Sequence, residues 1–211
     1  MSEIKAIQTY YNGFKFRSRL EARWAVFFDA ANIRYEYEPE GLKLKNGLCY
    51  LPDFYLPDEN MYVEVKPPRK GAWKDISKAS SFVGNGIDTL LILPNIPDRA
   101  SNIWYFPVLY WHSVEQSVMI KWCPFLPVAE ESTACIERNF YDPTQRSDQF
   151  FPALDYIDTK LAERFSERIL TPQRDESEDN YESFLAQDDL DFMSMLWDKA
   201  RQARFEHGEK G

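Results

Sequence analysis

The spacing of hydrophobic positions changes along this chain, and each change marks an element. Between Ser18 and Ala31 the apolar residues Leu20, Trp24, Phe27, Phe28 and Ala31 fall on one stripe, which predicts a helix. Ile33 to Glu38 alternates and reads as a strand ended by Pro39. Two further strands, Leu51–Leu56 and Tyr62–Lys66, flank the turn residues Pro57-Asp58-Glu59-Asn60. Pro67-Pro68 stops the second of them, and Gly71 leads into a helix from about Trp73 to Val83. Leu90-Leu91-Ile92-Leu93, bounded by Pro94, suits a strand covered on both faces. The predicted order is α-β-β-β-α-β. Past Pro97 the pattern predicts strands over Asn102–Tyr110 and Val114–Trp122, and a helix over 153–170. A solvated acidic linker spans Thr171–Asn180. The last helix, Tyr181–Glu206, carries Phe184, Leu185, Leu190, Phe192, Met195 and Leu196.

The two strands around Pro57–Asn60 carry acids that meet. If the chain reverses at Asp58-Glu59, facing residues have numbers summing to 117, and Asp53 lies opposite Glu64. Directly opposed residues share a face, and period two adds Lys66 to it while Val63 and Val65 take the other. Facing carboxylates repel, so the arrangement makes sense around a cation. It points to a metal-dependent enzyme. Asp53 and Glu64 would bind Mg²⁺, with Mn²⁺ as a substitute, and the Val65 carbonyl, water and a substrate phosphate would complete the shell.

Charge changes the picture of what the partner is. The net charge of −9 is unpromising for nucleic acid, but it is unevenly placed. Residues 1–100 hold 14 basic and 13 acidic side chains, which leaves 11 and 21 for the remainder. The half with the paired acids is therefore near neutral and carries two basic clusters. Lys15, Arg17, Arg19 and Arg23 surround Glu21, and Arg69, Lys70, Lys74 and Lys78 follow Lys66. These are candidate contacts to DNA phosphates, and Lys74 and Lys78 share a helix face. A solvated helix surface accounts for such lysines equally well.

The remaining composition sets limits. A 44% hydrophobic, 16% aromatic chain can pack a core. The N-terminus lacks the blocks of a signal peptide, and no run suits a membrane span. Cys49, Cys123 and Cys135 are odd in number and widely spaced, so free thiols in a reducing cytoplasm are expected. Without a CxxC pair, Cys123, Cys135 and His112 do not make a zinc motif, and two histidines leave little material for a histidine-based centre. No small-molecule cofactor is expected.

The run Phe16-Arg17-Ser18-Arg19-Leu20-Glu21-Ala22-Arg23, followed by Leu-Pro-Asp-Phe (51–54) and Val-Glu-Val-Lys (63–66), resembles the PD-(D/E)xK nuclease superfamily. The order and spacing of Glu21, Asp53, Glu64 and Lys66 are similar to those of phage endonuclease I-type junction resolvases. The likeness covers residues 14–94. It implies an α/β restriction-endonuclease-like core, a mixed sheet with a partly helical C-terminal extension, and a phage-encoded Mg²⁺-dependent DNA endonuclease. Branched or recombination-intermediate DNA is its implied substrate. It assigns catalytic roles to Glu21, Asp53, Glu64 and Lys66, with Lys66 serving the attacking water and the transition-state charge. Glu21 would be a direct or water-mediated metal ligand. Read on its own, Ser18-x-x-Glu21 is also a capping box in which Glu21 bonds the Ser18 amide.

The expected organisation is a nuclease core over 1–100, accessory strands and helix over 101–170, the linker over 171–180 and a terminal helix over 181–211. That helix is either a negatively charged appendage or one side of a core or homodimer contact. Two other functions fit the same residues. Strand-cleaving subunits of transposition systems share the Pro-Asp-Phe and Glu-Val-Lys pattern. Alternatively, the acidic half would make a non-catalytic DNA mimic that occupies a DNA-binding partner, as counter-defence proteins do.

Overall fold

The computed structural model describes residues 7–45, 47, 49–69, 72–97, 104–114, 116–128, 133–136, 149–150 and 187–205. The helix predicted over 153–170, the linker over 171–180, and residues 181–186 with Phe184 and Leu185 lie outside the described residues.

The chain enters through a hairpin that the pattern reading does not anticipate, β1 (Thr9–Tyr11) against β2 (Phe14–Phe16). Asn12 and Gly13 turn it at φ 45° and 83°, the left-handed pair that a two-residue hairpin demands. Helix α1 (Arg19–Ala30) follows, with Ser18 as N-cap accepting from the Glu21 amide and Ala31 as C-cap, as expected. Its stripe buries Trp24, Phe27, Phe28 and Ala31 completely, and Leu20 packs at the edge.

The strand predicted over Ile33–Glu38 shrinks to β3 (Glu36–Tyr37). Ile33 gives its N–H to the Phe28 carbonyl at 2.8 Å, closing the end of α1, and Glu38 at φ 44° bends out of the ladder before Pro39 is reached. A small separate sheet pairs β4 (Leu42–Lys43) with β5 (Cys49–Tyr50). The predicted hairpin is β6 (Phe54–Leu56) with β7 (Met61–Val65), and its pairs Phe54–Val63, Tyr55–Tyr62 and Leu56–Met61 keep the expected register. Helix α2 (Trp73–Ser80) is shorter than the predicted 73–83 because i→i+3 bonds from Ser81, Phe82 and Val83 tighten its last turn into a loop. It leads to β8 (Thr89–Leu93), which pairs with β7 in parallel.

The sheet then grows by antiparallel addition of β9 (Tyr105–His112), β10 (Ser117–Val128) and β11 (Thr133–Ile136). β12 (Gln149–Phe150) pairs with β10. The order is β11-β10-β9-β8-β7-β6-β3, a mixed eight-stranded sheet in an α/β fold. Around this sheet the elements keep the order α1-β3-β6-β7-α2-β8.

Alternation along β7 and β8 sends Val63, Val65, Leu91 and Leu93 to one face, under α1. Tyr62, Leu90 and Ile92 go to the other, with Ala72, Ile76 and Ala79 of the α2 segment. The last helix, α3 (Gln187–Gln202), ends earlier than predicted, because Ala203–Phe205 leave it. It packs on α1 and buries Met193, Leu196, Trp197 and Ala200. Trp197 stacks on Phe27 at 4.3 Å between ring centroids, and Trp24 meets it edge-on. Of the residues proposed as its apolar side, Leu196 is fully buried, Leu190 and Phe192 are partly so, and Met195 is exposed. The helix completes the core. No helix among the described residues is long and apolar enough to cross a membrane.

Candidate active site

The β6–β7 hairpin carries the paired acids. The Asp53 amide donates to the Val63 carbonyl (3.1 Å), extending the ladder one residue past β6. Its carbonyl accepts from the Glu38 amide (2.9 Å), so the residue that follows β3 fixes it from the other side. The Asp53 and Glu64 carboxylates both line one cleft of about 450 Å³, and the two residues are only 4% and 8% exposed. Asp53 Oδ2 accepts from the Val65 amide at 2.8 Å. Lys66, held by its amide to the Leu93 carbonyl, places Nζ 2.8 Å from Glu64 Oε1. The order Asp53, Glu64, Lys66 along one wall is the arrangement read from period two.

Burial raises the pKa of Asp53, and repulsion from Glu64 and Glu21 adds to the rise, while Lys66 and the Val65 N–H oppose it. Burial alone would depress Lys66, but attraction to Glu64 and Asp53 outweighs it and holds the ammonium above its ordinary range. Lys66 is thus a cation and a proton donor, not a ready base.

Glu21 is where its two readings meet. Ser18 Oγ donates to Oε1 (2.7 Å), while the Arg17 amide (3.1 Å) and the Tyr37 hydroxyl (2.8 Å) donate to Oε2. The capping box is therefore shifted by one residue, to the amide of Arg17 instead of Ser18. The same carboxylate lines the cleft and acts on Asp53 through its charge. With three donors engaged, Glu21 is a positioned charge at the edge of the site. No group of three or more His, Cys, Asp or Glu side chains is assembled to hold a metal among the described residues. The hard oxygen donors on offer are Asp53 and Glu64, a set that suits Mg²⁺ or Mn²⁺, which take one or two carboxylates and keep water. Val65 also lines the cleft.

The basic residues separate. Arg17 is drawn into the site, with Nη2 2.5 Å from Asp53 Oδ1 and Nε 2.7 Å from Glu38. Lys78 lines the cleft, and Lys74 stands exposed one turn away on α2. Arg69 is tied to Asp75 at 2.6 Å. Arg19 and Arg23 are half-buried on α1, and their Nε atoms have no hydrogen-bond partner. Lys15 faces outward over the Tyr10 ring. Lys70 and the side chain of Trp73 lie outside the described residues, as do the side chains of His112, Cys123 and Cys135. Cys49 is a free, exposed thiol.

The chain matches no family model, no curated protein and no solved structure.

Three residues of the site escape a reading by motif. Tyr37 holds Glu21, Glu38 holds Arg17, and Tyr50 is buried in the cleft wall, stacked 4.0 Å from Phe82. The Tyr50 hydroxyl lies near enough to Glu64 to feel its charge, which with burial raises its pKa, yet it makes no well-formed hydrogen bond. A signal for Tyr37 exists in the alternation of Tyr35 and Tyr37. None in the sequence announces Tyr50.

Proposed function

We propose that this protein is a metal-dependent phosphodiesterase acting on DNA, with a restriction-endonuclease-like core formed by α1-β3-β6-β7-α2-β8. One observation carries the reading: two carboxylates, Asp53 and Glu64, are buried side by side in an open cleft with Lys66 beside them. Burying like charges together costs stability, which a fold recovers when a cation bridges them. The local charge count supports the same ion. Among the described residues, the cleft wall carries Glu21, Asp53, Glu64 and Asp75 against Arg17, Lys66 and Lys78, a negative excess. A cation is attracted to that excess.

Asp53 and Glu64 would hold the ion, which supplies a more acidic bound water and offsets charge building on the phosphate. Lys66 projects an ammonium from the same wall and donates to the attacking water or a non-bridging phosphate oxygen, where negative charge grows. Glu64 orients that ammonium through the 2.8 Å contact. Lys78 lines the cleft where it would meet the phosphodiester backbone.

Incubation with supercoiled, linear, single-stranded and four-way-junction DNA, with Mg²⁺, Mn²⁺ or EDTA, tests the reading on one gel. The expected result is cleavage that EDTA abolishes and that Asp53→Asn and Glu64→Gln each lose without unfolding. The junction lane reports the preference for branched DNA implied by the spacing of the motif. Full activity in either variant would remove the carboxylate pair from the mechanism.

A further inference from the structure

All four oxygens of the buried carboxylate pair already face a donor. Val65 N–H bonds Asp53 Oδ2, Lys66 Nζ pairs with Glu64 Oε1, the Asp53 amide lies 3.4 Å from Glu64 Oε2, and Arg17 Nη2 is 2.5 Å from Asp53 Oδ1. Two of these donors belong to the main chain and stay with the sheet. Of the two side chains, Lys66 is 23% exposed and Arg17 is 51% exposed. Arg17 is built to move at one end only. Its amide is pinned by Glu21 and the Tyr37 hydroxyl, while its guanidinium bridges Glu38 and Asp53 at the cleft.

A divalent ion bound at Asp53 Oδ1 would stand at contact distance from the guanidinium, and repulsion between the two positive charges favours release of Arg17. Without substrate, the displaced guanidinium keeps Glu38 alone. With a phosphodiester in the cleft, its planar fork gains two non-bridging oxygens that accept together, a better partner than any single carboxylate oxygen.

Building on the nuclease reading above, we propose that Arg17 is an internal counter-ion that surrenders Asp53 to the metal and transfers to DNA phosphate, so that metal and DNA promote each other's binding. Linkage makes the effect reciprocal, and coupling of this kind commonly spans 5–150-fold. Arg17 is a positioning and binding residue here, and the site is guarded by its own arginine until substrate arrives.

Calorimetric titration of the full-length chain tests this directly. Mn²⁺ is titrated into wild type, Arg17→Ala and Arg17→Met without DNA, and Ca²⁺, an oxygen-seeking ion of the same charge, is titrated with and without a short DNA duplex. Wild type should bind Ca²⁺ about 10-fold more tightly when the duplex is present. Both variants should bind Mn²⁺ alone about 10-fold more tightly than wild type, lose most of the duplex effect, and bind DNA less well. Circular dichroism verifies that each variant is folded. Unchanged or weaker Mn²⁺ binding in two folded variants overturns the role of Arg17 and leaves the metal site standing. Absence of binding in wild type and variants alike, or binding that Asp53→Asn does not reduce, overturns the metal site and this inference with it.

Discussion

Asp53→Asn replaces a buried, repelled carboxylate by a neutral group of the same shape, and the structure says how stability should respond to pH. Burial and the neighbouring Glu64 push the Asp53 carboxyl from 3.8 up to about 7. Between those values the folded state holds a proton that the unfolded chain has lost. Stability associated with Asp53 is therefore fully present below pH 3.8, falls as pH rises, and levels off above about 7. At 1.36 kcal/mol per pH unit the interval amounts to ~4 kcal/mol. Asparagine mimics the protonated form, so the variant should match wild type near pH 4 and exceed it by about 4 kcal/mol at pH 8. Urea unfolding monitored by tryptophan fluorescence at several pH values gives the difference curve, in which the other ionisable groups cancel. Mg²⁺ at pH 8 should then stabilise wild type and leave Asp53→Asn unmoved. A difference curve that is flat, or that favours wild type as pH rises, would refute the reasoning.

Lys66→Ala should lose most of the cleavage rate while retaining DNA affinity, as read by single-turnover kinetics beside a binding curve; a collapse of affinity with normal turnover would reduce Lys66 to a phosphate contact. Trp197→Ala removes a fully buried ring stacked on Phe27 and should cost about 3–5 kcal/mol in urea unfolding, independent of salt. Removal of an acidic screen alone would instead give a small, salt-dependent change. Tyr50→Phe deletes a buried hydroxyl that makes no well-formed hydrogen bond, so stability should stay level or rise by about 1 kcal/mol, and a loss above about 2 kcal/mol would mean that its contact with Glu64 is a full hydrogen bond in solution.

The carboxylate hairpin was legible because everything that sets it is local. A short polar turn between two alternating strands fixes register, and register alone brings Asp53 to Glu64. Helix α1 was legible for similar reasons, since its stripe and the cap at Ser18 sit within one segment. Partners chosen by tertiary structure were not. Arg17 reads as a candidate DNA contact until Glu38 and Asp53 are placed around it, and the donors to Glu21 come partly from Tyr37 on another element. Two-residue strands such as β4 and β5 are too short to show a period. The β1–β2 hairpin was different: Asn12-Gly13 between aromatic residues is a turn signal that the helical stripe next to it overshadowed. In α3, acidic residues interleave with the apolar ones and blur the stripe, so Met193, Trp197 and Ala200 do not stand out in the sequence as its buried face.

The packing of α3 on α1 has a consequence for how the chain is made. Trp24 and Phe27 leave the ribosome about 170 residues ahead of Trp197, which covers them. At about 5–20 residues per second, the aromatic face of α1 waits on the order of ten seconds or more for its lid. During that interval the nascent chain already contains the whole acidic hairpin but cannot close its core. Stalled or truncated products should therefore display a sticky aromatic surface and fall to chaperones or proteases, so that only chains translated through α3 accumulate with the cleft intact.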